Sequence, residues 1–124
     1  MTARILIVDD EQNLVYFLKE ALVFRFPDGC VDTAYSGEEG LSRLAVSGYD
    51  LIIADYRMPG FDGLELIKGV RYLDPRTSII LMTAYGSEEL WQEAQKLGVA
   101  RCFGKPFDMD EMLLAVSELL PGLK

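Results

Sequence analysis

Short apolar runs alternate with stretches of helical periodicity along this whole chain, and that alternation limits its fold more than any other feature. Five runs read as strands: Arg4 to Val8, Val31 to Tyr35, Asp50 to Ala54, Ser78 to Met82 and Ala100 to Phe103. Arg4 to Val8 is a compact apolar run, and Leu51 to Ala54, bounded by turn signals, has the pattern of a strand buried on both faces. Between them apolar residues recur at helical spacing: Leu14, Leu18, Ala21 and Leu22; Leu64, Ile67 and Val70; Leu90, Ala94 and Leu97; Met112, Leu113, Val116 and Leu120. The helix after the second strand is marked by Ser36 with Glu39 three residues later, a capping box, and by Gly48 at its end. Ser87 and Asp108 open the last two helices. Five such units in series imply one parallel sheet, helices on both faces and right-handed crossovers. The expected architecture is an α/β, flavodoxin-like doubly wound sheet of strand order 2-1-3-4-5 with five helices. A chain of 124 residues makes one such domain, expected over residues 1–120 with 121–124 as a tail or the start of a linker.

Bulk properties exclude several functions. The net charge of −8 and the lack of a basic patch argue against direct nucleic-acid contact. No run of 18 apolar residues and no signal-peptide pattern is present, so the expectation is a cytoplasmic protein without membrane contact. Cys30 and Cys102 are too few for a disulfide framework and lack metal-ligand spacing. The chain has no histidine, which excludes Ser–His or Cys–His catalysis and His-ligated zinc.

In the 2-1-3-4-5 order the carboxyl ends of strands 1, 3, 4 and 5 share one rim, where open α/β sheets bind ligands. The residues at those ends are Asp9 and Asp10, Asp55, Thr83 and Lys105. Clustered carboxylates raise one another's pKa unless a cation neutralises them. Oxygen donors without His or Cys select a hard ion, Mg²⁺ or Mn²⁺, and Mg²⁺ prefers one or two carboxylates plus phosphate oxygens. An Asp carboxylate can itself be the nucleophile and form an aspartyl phosphate. Lys105 and the metal supply positive charge for phosphoryl transfer, and Thr83 a hydrogen bond.

VDDE at Val8 to Glu11, DYRMPGFDG at Asp55 to Gly63, TAYGS at Thr83 to Ser87 and KPF at Lys105 to Phe107 resemble the receiver domains of bacterial two-component response regulators, over essentially the whole chain. The resemblance implies that Asp55 is the phosphoacceptor. It implies that Asp10 ligates Mg²⁺ directly, Asp9 mainly through water, and the Arg57 backbone carbonyl as a further ligand. Lys105 then pairs with a phosphoryl oxygen, Thr83 reports its presence, and the Ala84 N–H contacts it. The implied donor is a phosphohistidine on a sensor histidine kinase or phosphotransfer protein, docking on the first helix around Leu14, Val15 and Leu18 with Pro106 and Phe107. The signal passes to an output domain or downstream protein, and a homodimer on activation is compatible with it. The resemblance, with the need to turn Lys105 toward Asp55, also implies a cis Lys105–Pro106 peptide.

One position departs from the family's pattern. Three residues before the Lys the family places Tyr or Phe; this chain has Cys102, and Phe103 faces the other side of the strand. Trp91, one residue past Leu90 on the fourth helix, is expected to fill part of that room. The switch region then comprises Thr83, Trp91 and Cys102, on an output face of helix 4, strand 5 and helix 5. Such a domain catalyses only its own phosphorylation and dephosphorylation. Two other readings stay open: a Mg²⁺-dependent aspartyl phosphatase, although the D-x-D-x-T pattern lacks its Thr after Asp9, and a pseudo-receiver acting only through protein contacts.

Overall fold

The computed structural model describes residues 2–58 and 61–123; Pro59 and Gly60 lie outside them. Five strands form one parallel sheet: β1 Arg4–Val8, β2 Cys30–Ala34, β3 Leu51–Asp55, β4 Ser78–Thr83 and β5 Arg101–Gly104. Their order is β2-β1-β3-β4-β5, with Val8 beside Ala34 and Ala54, Asp55 beside Met82, and Thr83 beside Gly104. Five helices cover the sheet: α1 Gln12–Arg25, α2 Gly37–Val46, α3 Gly63–Leu73, α4 Glu88–Lys96 and α5 Met109–Leu119. The expected fold is therefore the one observed. A two-residue antiparallel pairing of Arg57–Met58 with Phe61–Asp62 follows β3; nothing in the apolar pattern signals it.

Each strand alternates its side chains between two cores. Ile5, Ile7, Leu51, Ile53, Ile80 and Met82 pack under α1 and α5, whereas Leu6, Val8, Ile52, Ala54, Ile79 and Leu81 pack under α2, α3 and α4. The α1 stripe is displaced from its expected position. Val15, Leu18 and Leu22 are buried and Leu14 and Ala21 only half-buried, because α1 packs against β1, β2 and α5 together and buries the side that faces all three. On α5 the buried residues are Met112, Ala115 and Val116, with Leu113 and Leu120 at the edge.

The helix starts behave as their sequences require. Ser36 Oγ accepts from Glu39 N at 3.1 Å while Glu39 Oε1 accepts from Tyr35 N at 2.7 Å, so the reciprocal bond reaches one residue further back than in the ideal capping box. Ser87 Oγ accepts from Leu90 N, and Asp108 Oδ1 from Asp110 N and Glu111 N. α4 ends at Gly98, whose φ of 79° is the left-handed conformation that favours glycine. Arg71 of α3 fastens that end. Its guanidinium donates to the carbonyls of Leu97 at 2.9 Å and Gly98 at 2.8 Å, and on its own side to Thr77 and Pro75. Leu123, beyond α5, is buried in the core under α1. No helix among the described residues is long and apolar enough to cross a membrane.

Candidate functional site

The carboxyl edge of the sheet gathers its polar residues as the topology demands. Asp9 follows the last residue of β1 and is fully buried, its N–H bonded to Ala34 O and one carboxylate oxygen accepting from Glu11 N at 2.9 Å. That local bond, an Asp side chain on the N–H two residues ahead, turns the chain tightly and brings Glu11 over the site. Asp55 ends β3 and is 5% exposed. The loop that leaves it is tied down by Tyr56 N on Met82 O and by Gly63. A Cβ on Gly63 would lie 2.6 Å from Tyr56 Cα, so no other residue fits without moving the chain beside Asp55.

Lys105 crosses the rim to these acids. Its N–H donates to Thr83 O at 2.8 Å, which continues the β4–β5 pairing, and the Lys105–Pro106 peptide is cis as expected. Lys105 Nζ lies 2.8 Å from Asp9 Oδ2, 2.8 Å from Glu11 Oε1 and 3.3 Å from Asp55 Oδ1. An ammonium has three N–H donors, and here three carboxylates face them.

Charge and burial conflict in this cluster. Burial, then the neighbouring charge of Asp9, pushes the Asp55 pKa up to about 6; Lys105 pulls it back and Asp10 adds to the push. Burial also raises Asp9, against the hydrogen bond from Lys105. For Lys105 burial works against the charge, but the bonds to Asp9 and Glu11 and the charges of Asp9 and Asp55 prevail, and its pKa is raised. The ammonium is therefore permanently charged, and Asp55 is mostly ionised at neutral pH.

Carboxylate oxygens of Asp9, Glu11 and Asp55 lie within 4.8 Å of one another. Such a set, all oxygen and without nitrogen or sulfur donors, fits a hard divalent cation such as Mg²⁺. Asp10 stands apart: it is exposed and is not one of this trio, although its charge reaches Asp55. Glu11 is the member sequence reasoning missed. The signal for it is the Asp9 side-chain turn, which a run of three successive acids obscures.

The other expected residues surround this centre. Thr83 ends β4, is 1% exposed, and its Oγ1 accepts from Tyr85 N at 3.0 Å. Ala84 is exposed and lines a groove of about 440 Å³ with Glu11, Leu14, Lys105, Pro106, Phe107 and Met109. The docking region expected for a kinase is thus corrected: Val15 and Leu18 are core residues, 1% and 0% exposed, and only Leu14 reaches the groove. Arg57, exposed, places its guanidinium 5.0 Å from the centroid of the Tyr85 ring, so the loops after β3 and β4 touch.

Farther out, Trp91 and Cys102 belong to the same core face and line one groove of about 450 Å³ with Gln95, Val99, Ala100, Arg101 and Gly104. Phe103 packs in the opposite core, beside Phe107. The Trp91 ring packs closely against the loop after β4: a Cβ on Gly86 would come 2.2 Å from Trp91 Cζ2. Gly86 is therefore a requirement of Trp91, which the TAYGS motif does not reveal.

The sequence pattern of the family described as "Response regulator receiver domain" matches residues 5–117. The chain is 37% identical over 121 residues to Sporulation initiation phosphotransferase F of Bacillus subtilis, covering 98% of this chain and 96% of that one. It is 41% identical over 123 residues to the Regulatory protein AtoC of Escherichia coli, covering 97% of this chain but 26% of that protein. Among solved structures, a response regulator receiver domain protein (CheY-like) from Methanospirillum hungatei superposes with a TM-score of 0.92 at 28% identity, covering 98% of this chain and 96% of that one.

Proposed function

The chain belongs to the response regulator receiver domains of two-component signalling, and from that premise we propose that Asp55 accepts a phosphoryl group from a histidine kinase or phosphotransfer protein. The observation that carries this is Asp55 itself: a buried carboxylate at a strand end, 3.3 Å from a permanently charged Lys105. As nucleophile, ionised Asp55 forms the new P–O bond in line with the bond that breaks to the donor's imidazole. Lys105 places its charge on an equatorial phosphoryl oxygen, the Thr83 hydroxyl donates to another, and the Ala84 N–H lies at the same rim. Asp9, Asp10, Asp55 and the Arg57 carbonyl are the oxygens that would hold Mg²⁺ during transfer, and the ion would offset the charge that gathers there. On this reading the domain, residues 1–120, is a cytoplasmic switch that catalyses only its own phosphorylation and dephosphorylation. Its output lies in another domain or protein.

The test is labelling with acetyl phosphate and Mg²⁺, followed by mass spectrometry. The added phosphoryl mass should appear on wild-type protein and vanish in Asp55→Asn or with EDTA. An Asn variant that labels at the wild-type rate removes the assignment.

We assign the exit of the signal to the Thr83–Ser87 loop and α4. A hydrogen bond from Thr83 to the phosphoryl group contributes roughly 1.5–3 kcal/mol, short of the roughly 5.5 kcal/mol that a 1:99 to 99:1 shift needs. Further contacts must change, and the Trp91 ring on Gly86, near the small Cys102, is the contact most directly joined to that loop. Trp91 fluorescence should shift in intensity or wavelength when beryllofluoride activates Asp55, and stay constant in Asp55→Asn. A wild-type spectrum that does not move excludes Trp91 from the switch.

A further inference from the structure

We propose that Glu11 is a tethered competitor for Lys105: its carboxylate holds the ammonium in the resting protein and must withdraw for the phosphoryl group to enter. This inference rests on Asp55 being the phosphoacceptor and deepens that reading. Lys105 Nζ donates to Asp9 Oδ2 and Glu11 Oε1, both at 2.8 Å, and lies 3.3 Å from Asp55 Oδ1, so the short bonds of the ammonium go to carboxylates and one of the two goes to Glu11. A phosphoryl oxygen brought to this ammonium competes with the carboxylates that already hold it, and the one that yields is the one that leaves most easily. Asp9 is fully buried and held by its own bond from Glu11 N. Asp55 carries the phosphoryl group and stays. The Glu11 side chain is 61% exposed, so it regains water at little cost when it swings out.

Position and charge agree with this. The Glu11 oxygen lies within 4.8 Å of carboxylate oxygens on both Asp9 and Asp55, in the space a substituent on Asp55 enters. A phosphoryl dianion there and the Glu11 carboxylate repel one another, and both seek the same ammonium. Glu11 is thus a positioning residue with two effects: it keeps Lys105 aimed at Asp55 in the resting state, and it lowers the affinity for the phosphoryl group. A purely structural role makes the opposite prediction, since loosening Lys105 would weaken anion binding.

The experiment is a titration of beryllofluoride followed by ¹⁹F NMR, with Mg²⁺ saturating for each protein as established by its own titration. Exposed ion pairs of this kind contribute up to about 1 kcal/mol, which is roughly a fivefold change in affinity. Glu11→Ala and Glu11→Gln should each bind beryllofluoride about two- to fivefold more tightly than wild type, with the difference shrinking as salt rises. Glu20→Gln, which removes the same charge from α1 outside the site, should bind as wild type does. An Asp55-dependent adduct of equal or lower affinity in both Glu11 variants overturns this inference alone, as does equal tightening by Glu20→Gln. No adduct on wild-type protein, or one that survives Asp55→Asn, overturns the phosphoacceptor reading and this inference with it.

Discussion

In magnesium-free, chelated buffer at pH 7.5, Asp55→Asn should make the folded protein more stable than wild type by roughly 1–2 kcal/mol, while abolishing phosphorylation. The cause is the cost of ionising Asp55 in place. Its pKa rises from 3.8 to about 6, through burial first and the charge of Asp9 second. A rise of that size, in which the pull of Lys105 is already included, corresponds to roughly 3 kcal/mol against folding when the group is charged, and the cost of burying an amide in place of the carboxyl takes back part of the gain. The sign follows from linkage. The native state binds this proton more tightly than the unfolded chain does, so the penalty is full above about pH 6 and fades toward pH 3.8. The advantage of the variant should therefore be largest at pH 7.5 and small at pH 4. Urea denaturation at both values, with and without Mg²⁺, measures it, and Mg²⁺ should narrow the gap by stabilising wild type. A variant less stable than wild type at pH 7.5, or a gap that ignores pH, would show that the Lys105–Asp55 pair outweighs the repulsion.

Arg71→Ala should lower stability by about 2–4 kcal/mol, the largest loss expected from a single residue outside the apolar core. Four backbone carbonyls, those of Leu97, Gly98, Pro75 and Thr77, accept from its guanidinium. No other hydrogen bond to the Gly98 carbonyl is found among the described residues, and the planar fork reaches two chain segments at once. A lysine presents a compact ammonium that cannot span them, so Arg71→Lys should recover less than half of the loss. Chemical denaturation gives the totals. Hydrogen exchange of Val99 and Ala100, whose N–H groups bond to Ala94 and Ile79, reports whether the damage centres on the end of α4. Equal stability of Arg71→Ala and wild type would mean that water replaces the guanidinium without cost.

Much of this was legible before any coordinates. β1, β3 and β4 were readable as short, largely apolar runs, and β2 and β5, which carry Asp32, Thr33 and Arg101, from the turn signals and helices around them; the parallel order follows once helices separate them. The rim residues Asp9, Asp55, Thr83 and Lys105 were readable because they stand immediately after those runs, where register alone places them together. What the sequence concealed depends on side-chain direction. The shift of the α1 stripe to Val15 needs the positions of β1, β2 and α5. Glu11 joins the cluster through one hydrogen bond to Asp9, which adjacency does not reveal, and Asp10, as plausible a partner by position, remains outside. Arg71 reads as one more surface cation on α3 until the end of α4 is brought beside it. Gly86 reads as a turn residue, and only the Trp91 ring shows what it makes room for.

The fastening of α4 at one end also sets how motion can spread along it. A rod held by its far end can tilt but not slide. α4 has nine residues, a length of roughly 13 Å. A shift of about 2 Å at the Ser87 end, the scale on which helices move in switching proteins, is then a rotation on the order of ten degrees about the Arg71 contact. Displacement is greatest beside Gly86 and Trp91 and dwindles toward Leu97. A partner that reads this helix therefore meets a graded surface, with most of the geometric information in its first two turns and almost none in its last.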